Sequence, residues 1–296
     1  MGKKARGAEA FEEFYSKAWG ERWPKLKQSL VGPKTYAAIK NPHFEGNIDW
    51  SSIKTKELWP QIHLLECGGT WPEVATDEQG NRSHYMMDPA SCLAAHYLGV
   101  EPGDEVLDLC AAPGGKSLIL LNRLKDQGKL VSNDRSRDRR ERLKRVLAEH
   151  HPLKESIDLQ ITGHDASSWC LHQKEAFDKI LLDAPCSSER HVFESPKHLN
   201  EWGEGRTQRL SKDQWTMLAS ALDVVKIGGR IIYSTCSLSP LENEKIIEKL
   251  LAKRGERVRL IDIDSPYIEK ASFGYYMLPD NGGWGPIFFC LIERIG

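Results

Sequence analysis

No run in this 296-residue chain approaches the 18 consecutive apolar positions of a membrane-spanning helix, which excludes a span of that kind. No sign of charge dominates. The 41 Lys/Arg and 42 Asp/Glu leave a formal net charge of −1, so any polyanion site has to be a local patch. None of the seven cysteines (Cys67, Cys92, Cys110, Cys170, Cys186, Cys236, Cys290) sits in a CxxC pair or at metal-ligand spacing. In a chain far longer than disulfide-framework domains, this predicts reduced thiols in an intracellular setting and no bound metal. A special cysteine would then act as a thiol. There is no internal repeat, no low-complexity segment and no secretory apolar stretch near the N-terminus. What is present is 40% hydrophobic and 28% charged residues, enough apolar material for a sizeable core. The length suits one large domain, or a core domain with a smaller appendage.

The first 60 residues hold 11 Lys/Arg and 7 Asp/Glu, a local excess of positive charge, and carry Trp19, Trp23, Trp50 and Trp59. Lys3, Lys4 and Arg6 precede the first acidic residue, a basic start compatible with targeting or RNA contact. Residues 8–30 read as two helices joined by a turn, with Pro24 opening the second. Tryptophans among basic residues suit base stacking and phosphate contact; the alternative is that they pack this end onto the core. Residues 68–83, with Gly68, Gly69, Pro72, Gly80, Asn81 and Ser83, read as a loop or boundary.

From residue 100 onward, strands and helices alternate. Apolar runs at 105–109, 129–133, 157–161, 178–182, 230–235 and 287–293 read as strands. Residues 117–125, 137–149, 212–226 and 242–252 read as helices. Nearly continuous apolar strands alternating with helices predict a doubly wound parallel sheet covered on both faces. Such sheets bind ligands at the carboxyl ends of their strands, where the motifs below fall.

The first motif is Val106-Leu-Asp-Leu-Cys110-Ala-Ala-Pro113-Gly114-Gly115-Lys116, a strand running through a Pro-Gly-Gly turn into a helix. Glycines there let backbone amides approach a ligand, and a helix N-terminus favours an anionic group. The spacing is neither GxGxxG nor GxxxxGK[ST], because position 110 is a cysteine; dinucleotide binding is disfavoured and P-loop chemistry is not expected. Asp134 ends the second strand, where an acid hydrogen-bonds ribose hydroxyls in nucleoside-binding sheets; the alternative is an N-cap of the next helix. Asp165, after the third strand, could accept from an adenine amine or could be a turn aspartate.

The fourth strand ends in Asp183-Ala-Pro-Cys186 and the fifth in Tyr233-Ser-Thr-Cys236-Ser237. A buried cysteine is ordinarily a small hydrophobe. Two of them at equivalent edges of neighbouring strands, one beside an aspartate, suit a thiolate nucleophile. Methyltransferases of exocyclic amines place an aromatic stacking residue where Cys186 stands. Carbon methylation of a pyrimidine instead needs a group that adds to C6 before C5 becomes nucleophilic. A thiolate does that, while an aspartate holds the base.

Asp108-Leu-Cys-Ala-Ala-Pro-Gly-Gly-Lys116, Asp183-Ala-Pro-Cys186, Lys226-Ile-Gly-Gly229, Tyr233-Ser-Thr-Cys-Ser237 and Glu242-Asn243-Glu244 together resemble the Sun-domain (Nop/Sun, Fmu-like) family of RNA 5-methylcytosine methyltransferases over residues 85–295. The resemblance implies an α/β fold: a doubly wound seven-stranded, Rossmann-like methyltransferase sheet over 84–296, with a small helical, RNA-contacting appendage over 1–83. It implies S-adenosylmethionine as cofactor, held by Cys110, Ala111, Ala112, Pro113, Gly114, Gly115, Lys116, Asp134, Arg139, Asp165, Ala166 and Asp183. It further implies that Cys236 is the nucleophile, that Cys186 assists product release, and that Asp183 holds the base. Trp23-Pro24 with the basic helix after it, Tyr85-Met-Met-Asp-Pro-Ala-Ser91 and Gly285-Pro-Ile-Phe-Phe-Cys290 are similar to the family's mitochondrial subgroup. That subgroup lacks a PUA-type RNA-binding domain. It implies ribosomal RNA ahead of tRNA as substrate, a helical-repeat protein as a possible partner presenting the RNA, and mitochondria ahead of cytoplasm. The polar 187–211 segment shows no fixed pattern and reads as a loop. The basic residues of 135–145 read as a solvated helix face apart from Arg139, and Lys197, His198, Arg206, Arg209 and Lys212 as phosphate contacts. The target cytosine has to be unpaired or flipped out. Two rivals remain at this stage: a DNA cytosine methyltransferase using Cys186, and an RNA-binding assembly scaffold that retains the cofactor pocket.

Overall fold

Two sheets organise the chain in the computed structural model, which describes residues 6–50, 53–65, 71–151 and 157–296. Lys3, Lys4, Cys67, Gly68 and Gly69 lie outside the described residues. Helices α1 (Ala8–Trp19) and α2 (Trp23–Leu30) are joined by a 3-10 turn, with Pro24 in the first turn of α2. Then β1 (Ala37–Lys40), β2 (Thr55–Trp59), β3 (Ile62–Leu65) and β4 (His84–Met87) form an antiparallel sheet in the order β2-β3-β1-β4. The sequence reading held no strands here. Each is four or five residues long, too short for its alternation to register. The N-terminal part thus carries strands as well as helices, and residue 84 starts a strand of this small sheet.

The remainder alternates as α3 (Pro89–Tyr97), β5 (Glu105–Asp108), α4 (Gly115–Leu124), β6 (Gly128–Asn133), α5 (Arg137–His150), β7 (Ile157–Thr162) and β8 (Phe177–Asp183). It continues through α6 (Glu189–Phe193), α7 (Pro196–Glu201), α8 (Glu204–Val224), β9 (Val225–Thr235), α9 (Glu244–Arg254), β10 (Val258–Leu260), β11 (Glu269–Lys270), β12 (Tyr275–Met277) and β13 (Ile287–Arg294). The strand path is β7-β6-β5-β8-β9-β13, with β10 on β13, which makes the seven-stranded sheet. β12 and β11 extend it to nine. Strands β5 to β9 pair in parallel, but β13 is antiparallel to β9, so the sheet is mixed where a parallel one was expected. β13 returns from β12 with no helix between them, the connection that antiparallel neighbours use.

Alternation along the strands feeds two cores. Leu107, Ile180, Leu182 and Ile231 face α8, α9 and the α1–α2 pair, while Val106, Leu181 and Ile232 face α3, α4 and α5. The 187–211 segment is helical rather than a loop: it forms α6, α7 and the first turns of α8. The buried face of α8 carries Thr207 and Gln214 before it reaches Leu218 and Ala221, so its first half lacks the apolar stripe by which a helix is recognised. Among the described residues no helix is long and apolar enough to cross a membrane.

Candidate active site

β5 and β8 are neighbours, with β6 beyond one and β9 beyond the other, so the chain reverses direction across the sheet at β5. The crevice at such a switch point is the ligand site of open α/β sheets. Gly114 takes a φ of 120° at the start of α4. A Cβ on Gly115 would come within 2.7 Å of the Tyr85 ring. Two cavities open here and share Cys110. One, of about 360 Å³, is lined by Asp134, Arg139, Asp165, Ala166 and Pro185. The other, of about 170 Å³, is lined by Ala111, Ala112, Pro113, Gly115, Lys116 and Asp183, together with Asp108.

Asp134 leaves the end of β6 almost fully buried. Its Oδ1 accepts from the Ser136 amide at 2.9 Å, while its Oδ2 has no hydrogen-bond partner. The N-cap of α5 is Ser136, whose hydroxyl accepts from the Arg139 amide. Arg139 bridges the two walls of the crevice: Nη1 lies 3.3 Å from Asp134 Oδ2 and Nη2 donates to Ala112 O at 2.6 Å. Asp165 caps the 3-10 turn after β7, accepting on Oδ1 from the Ser167 hydroxyl at 2.7 Å and amide at 2.9 Å. Those two bonds hold its carboxyl below the usual range. In the smaller cavity, Asp108 Oδ2 accepts from Ser117 at 2.7 Å and Oδ1 is buried without a partner. Burial pushes this carboxyl up to about 7.

At the adjoining strand ends, the Sγ atoms of Cys186 and Cys236 lie 3.1 Å apart. A hydrogen bond from the Cys186 thiol, helped by Ser188, lowers the Cys236 thiol against the opposing effects of burial and Asp183. The same bond, with burial, raises Cys186. Of the two thiols, Cys236 is the one whose ionisation is favoured and Cys186 the one whose ionisation is opposed. Asp183 stands between crevice and thiols. Its Oδ1 accepts from Ser234 at 2.8 Å and its Oδ2 from Lys116 Nζ at 2.8 Å. By contrast, burial pushes the thiols of Cys92 and Cys290 up to about 12, as expected of packing residues.

Other candidates scatter. Trp23 is buried, Trp19 donates to Leu238 O at 3.0 Å, and Trp59 stacks on His96, so these rings are engaged in packing. On α5, Leu143, Leu147 and His150 are the buried side chains. His198, Arg206 and Arg209 share a surface cavity of about 340 Å³ with Arg6, Glu201 and Glu204. Sequence spacing held no metal site, yet His43, Asp126 and His151 bring ligand atoms within 4.8 Å of one another, with His151 Nε2 3.2 Å from Asp126 Oδ1. Missed altogether were Asp108, inside a motif already quoted, and Arg190, which donates to Gly285 O at 2.9 Å while Nε and Nη1 are buried without partners. Also missed was the buried acid Glu189, whose only signal was its position two residues after the Cys186-Ser187 pair.

A doubly wound sheet with an acid-lined crevice at its switch point and a polarised thiol beside it defines a group-transfer enzyme of the methyltransferase class. The chain belongs to the 16S rRNA methyltransferase RsmB/F family, whose sequence model matches residues 95–292. It is similar to the 5-cytosine rRNA methyltransferase NSUN4 of Mus musculus, at 30% identity over 96% of this chain and 87% of that protein. It is equally similar to the mitochondrial tRNA (cytosine(34)-C(5))-methyltransferase of Danio rerio, at 30% identity over 96% of this chain and 86% of that one. Among solved structures, a methyltransferase homologue from Pyrococcus horikoshii superposes with a TM-score of 0.79 at 22% identity, covering 96% of this chain and 94% of that one, which shows the shared fold.

Proposed function

We propose that the chain methylates C5 of a cytosine in RNA, with S-adenosylmethionine as donor and Cys236 as nucleophile. The observation that carries this reading is the polarised Cys186–Cys236 pair beside a carboxylate held by Lys116 and Ser234. The residues present fit the cofactor. Asp134 Oδ2, which makes no hydrogen bond and has the Arg139 guanidinium beside it, is an acceptor for ribose hydroxyls, Asp165 for an adenine amine, and the orphaned Asp108 Oδ1 for an ammonium group. Once bound, S-adenosylmethionine supplies an electrophilic methyl group to the carbon that Cys236 has activated.

The Cys236 thiolate adds to C6 of the base, forming the S–C6 bond and pushing the C5–C6 π pair toward C5 and the ring. Asp183 and its partner Lys116 hold the base edge where charge builds up. After methylation, water takes the C5 proton, the S–C6 bond breaks and the C5–C6 double bond returns. Cys186 assists that release by keeping its own proton and donating a hydrogen bond to the departing sulfur. We take ribosomal RNA ahead of tRNA as the substrate, in line with the family description and the rRNA relative, and mitochondria as the compartment, in line with the mitochondrial tRNA relative. Residues 1–83 then serve as an RNA-contacting part, with a helical-repeat protein presenting the RNA.

Separate alanine variants of the two thiols test the scheme. Cys186→Ala should methylate but stall, giving a slow-migrating protein–RNA band on a denaturing gel that requires both RNA and S-adenosylmethionine. Cys236→Ala should give neither methyl transfer nor band. A band from Cys236→Ala would reverse the two roles and overturn the scheme, and so would the absence of a band from both.

A further inference from the structure

The N-terminal helix reaches the thiol site. Tyr15 of α1 is fully buried, and its hydroxyl donates to Oε1 of Glu189, 174 residues further along the chain. Glu189 is itself buried and accepts from both cysteine loops. Ser187, which follows Cys186, donates to Oε1 at 2.6 Å, and Ser237, which follows Cys236, at 3.0 Å. The Leu238 amide donates to Oε2 at 2.7 Å. A second buried acid, Glu242, ties the same loops, accepting on Oε2 from the Ser187 amide at 3.0 Å and from Gln214 at 2.8 Å. The Ser187 and Ser237 hydroxyls lie 3.0 Å apart. A second bond from α1, Trp19 Nε1 to Leu238 O at 3.0 Å, reaches the loop after Cys236.

We propose that Tyr15 is a positioning residue for the thiol pair: through Glu189 it sets the spacing of the loops that carry Cys186 and Cys236, making α1 part of the catalytic apparatus. The inference rests on the function proposed above. Its physical basis is the stiffness of a buried carboxylate that collects four donors from three segments of the chain. Each donor restricts where the other two segments can stand. Loss of the tyrosine hydroxyl leaves Oε1 to the two serines alone, and the 3.1 Å sulfur spacing that polarises Cys236 relaxes. Residues 187 and 237 are each one residue from a reacting sulfur, so small shifts there move the sulfurs directly.

The test compares Tyr15→Phe with Phe11→Leu in the full chain. Phe11 packs on Tyr15 with ring centroids 4.5 Å apart and carries no donor. Two quantities are read: kcat and KM for methyl transfer, and the pH midpoint of Cys236 alkylation by iodoacetamide, followed by peptide mass spectrometry without RNA or cofactor. Tyr15→Phe should lower kcat about tenfold or more with KM values nearly unchanged, since misplacing reacting atoms costs rate rather than ground-state binding. It should also raise the alkylation midpoint of Cys236, which Phe11→Leu should leave in place. If both variants lose activity only in step with melting temperature and neither moves the midpoint, Tyr15 is a packing residue and the inference fails. Should Tyr15→Phe not fold, Trp19→Phe decides, and an unmoved Cys236 midpoint there overturns the inference equally. The midpoint needs no substrate, so it still reads out even where the proposed RNA chemistry is wrong.

Discussion

Replacing Asp134 by Asn isolates one atom of the cofactor crevice. In the wild type, Oδ1 is committed to the Ser136 amide, whereas Oδ2 is buried, lacks a hydrogen-bond partner and has the Arg139 guanidinium 3.3 Å away. Asparagine keeps an acceptor for Ser136, so the turn into α5 should survive. The second position becomes a donor facing a guanidinium and can no longer accept from a ribose hydroxyl. A hydrogen bond to a charged group contributes about 1.5–3 kcal/mol, which corresponds to a loss of about 10- to 150-fold in affinity. Titration calorimetry with S-adenosylmethionine measures it, with RNA affinity as the internal control, because Asp134 lies inside the crevice rather than on the outer face of α5. A cofactor affinity within about threefold of wild type, in a variant that melts normally, would refute the reasoning. Asp134 would then be a turn residue paired with Arg139.

Two further outcomes concern stability. Trp23 is 1% exposed and stacks on Tyr15 with centroids 5.1 Å apart, so Trp23→Ala should lower unfolding free energy in urea by about 3–5 kcal/mol. A loss below about 1 kcal/mol would mean that α2 is not part of the core. Asp108 and Glu242 are each pushed up to about 7, chiefly by burial, with the facing Glu189 adding to the effect at Glu242. In the folded chain they hold protons that the unfolded chain releases near pH 4. Their contribution is therefore complete below the unfolded values and lost as pH rises through about 7, by roughly 3–4 kcal/mol for each group. Melting temperature should fall between about pH 4 and 7 and level off above that, and Asp108→Asn should flatten the slope; an identical slope in the variant would remove Asp108 as a cause.

Much of this protein was legible in its order of residues. Apolar runs separated by helical stretches announce a wound sheet, and the strand–turn–helix at 105–124 announces a ligand crevice at its edge. Asp134, Asp165, Asp183 and both cysteines could be picked out because residues just past a strand's carboxyl end share one rim whatever the loops do. That inference is local: it needs only the strand to be a strand. The antiparallel pairing of β13, the short strands of residues 37–65 and the helical nature of 187–211 were not legible, since pairing direction leaves no periodicity and the buried face of α8 is partly polar.

What tertiary structure alone decided is polarity and support at the site. Cys186 and Cys236 have similar surroundings in sequence, each preceding a serine. Their sulfurs meet across 3.1 Å, and the groups around them, Ser188 among those favouring the Cys236 thiolate and burial with Glu242 and Glu189 among those raising Cys186, make the pair unequal. Likewise nothing near Tyr15 in sequence points to Glu189. The bond exists because α1 docks where the two cysteine loops meet, and a buried carboxylate takes its donors from whichever chain segments folding brings within reach.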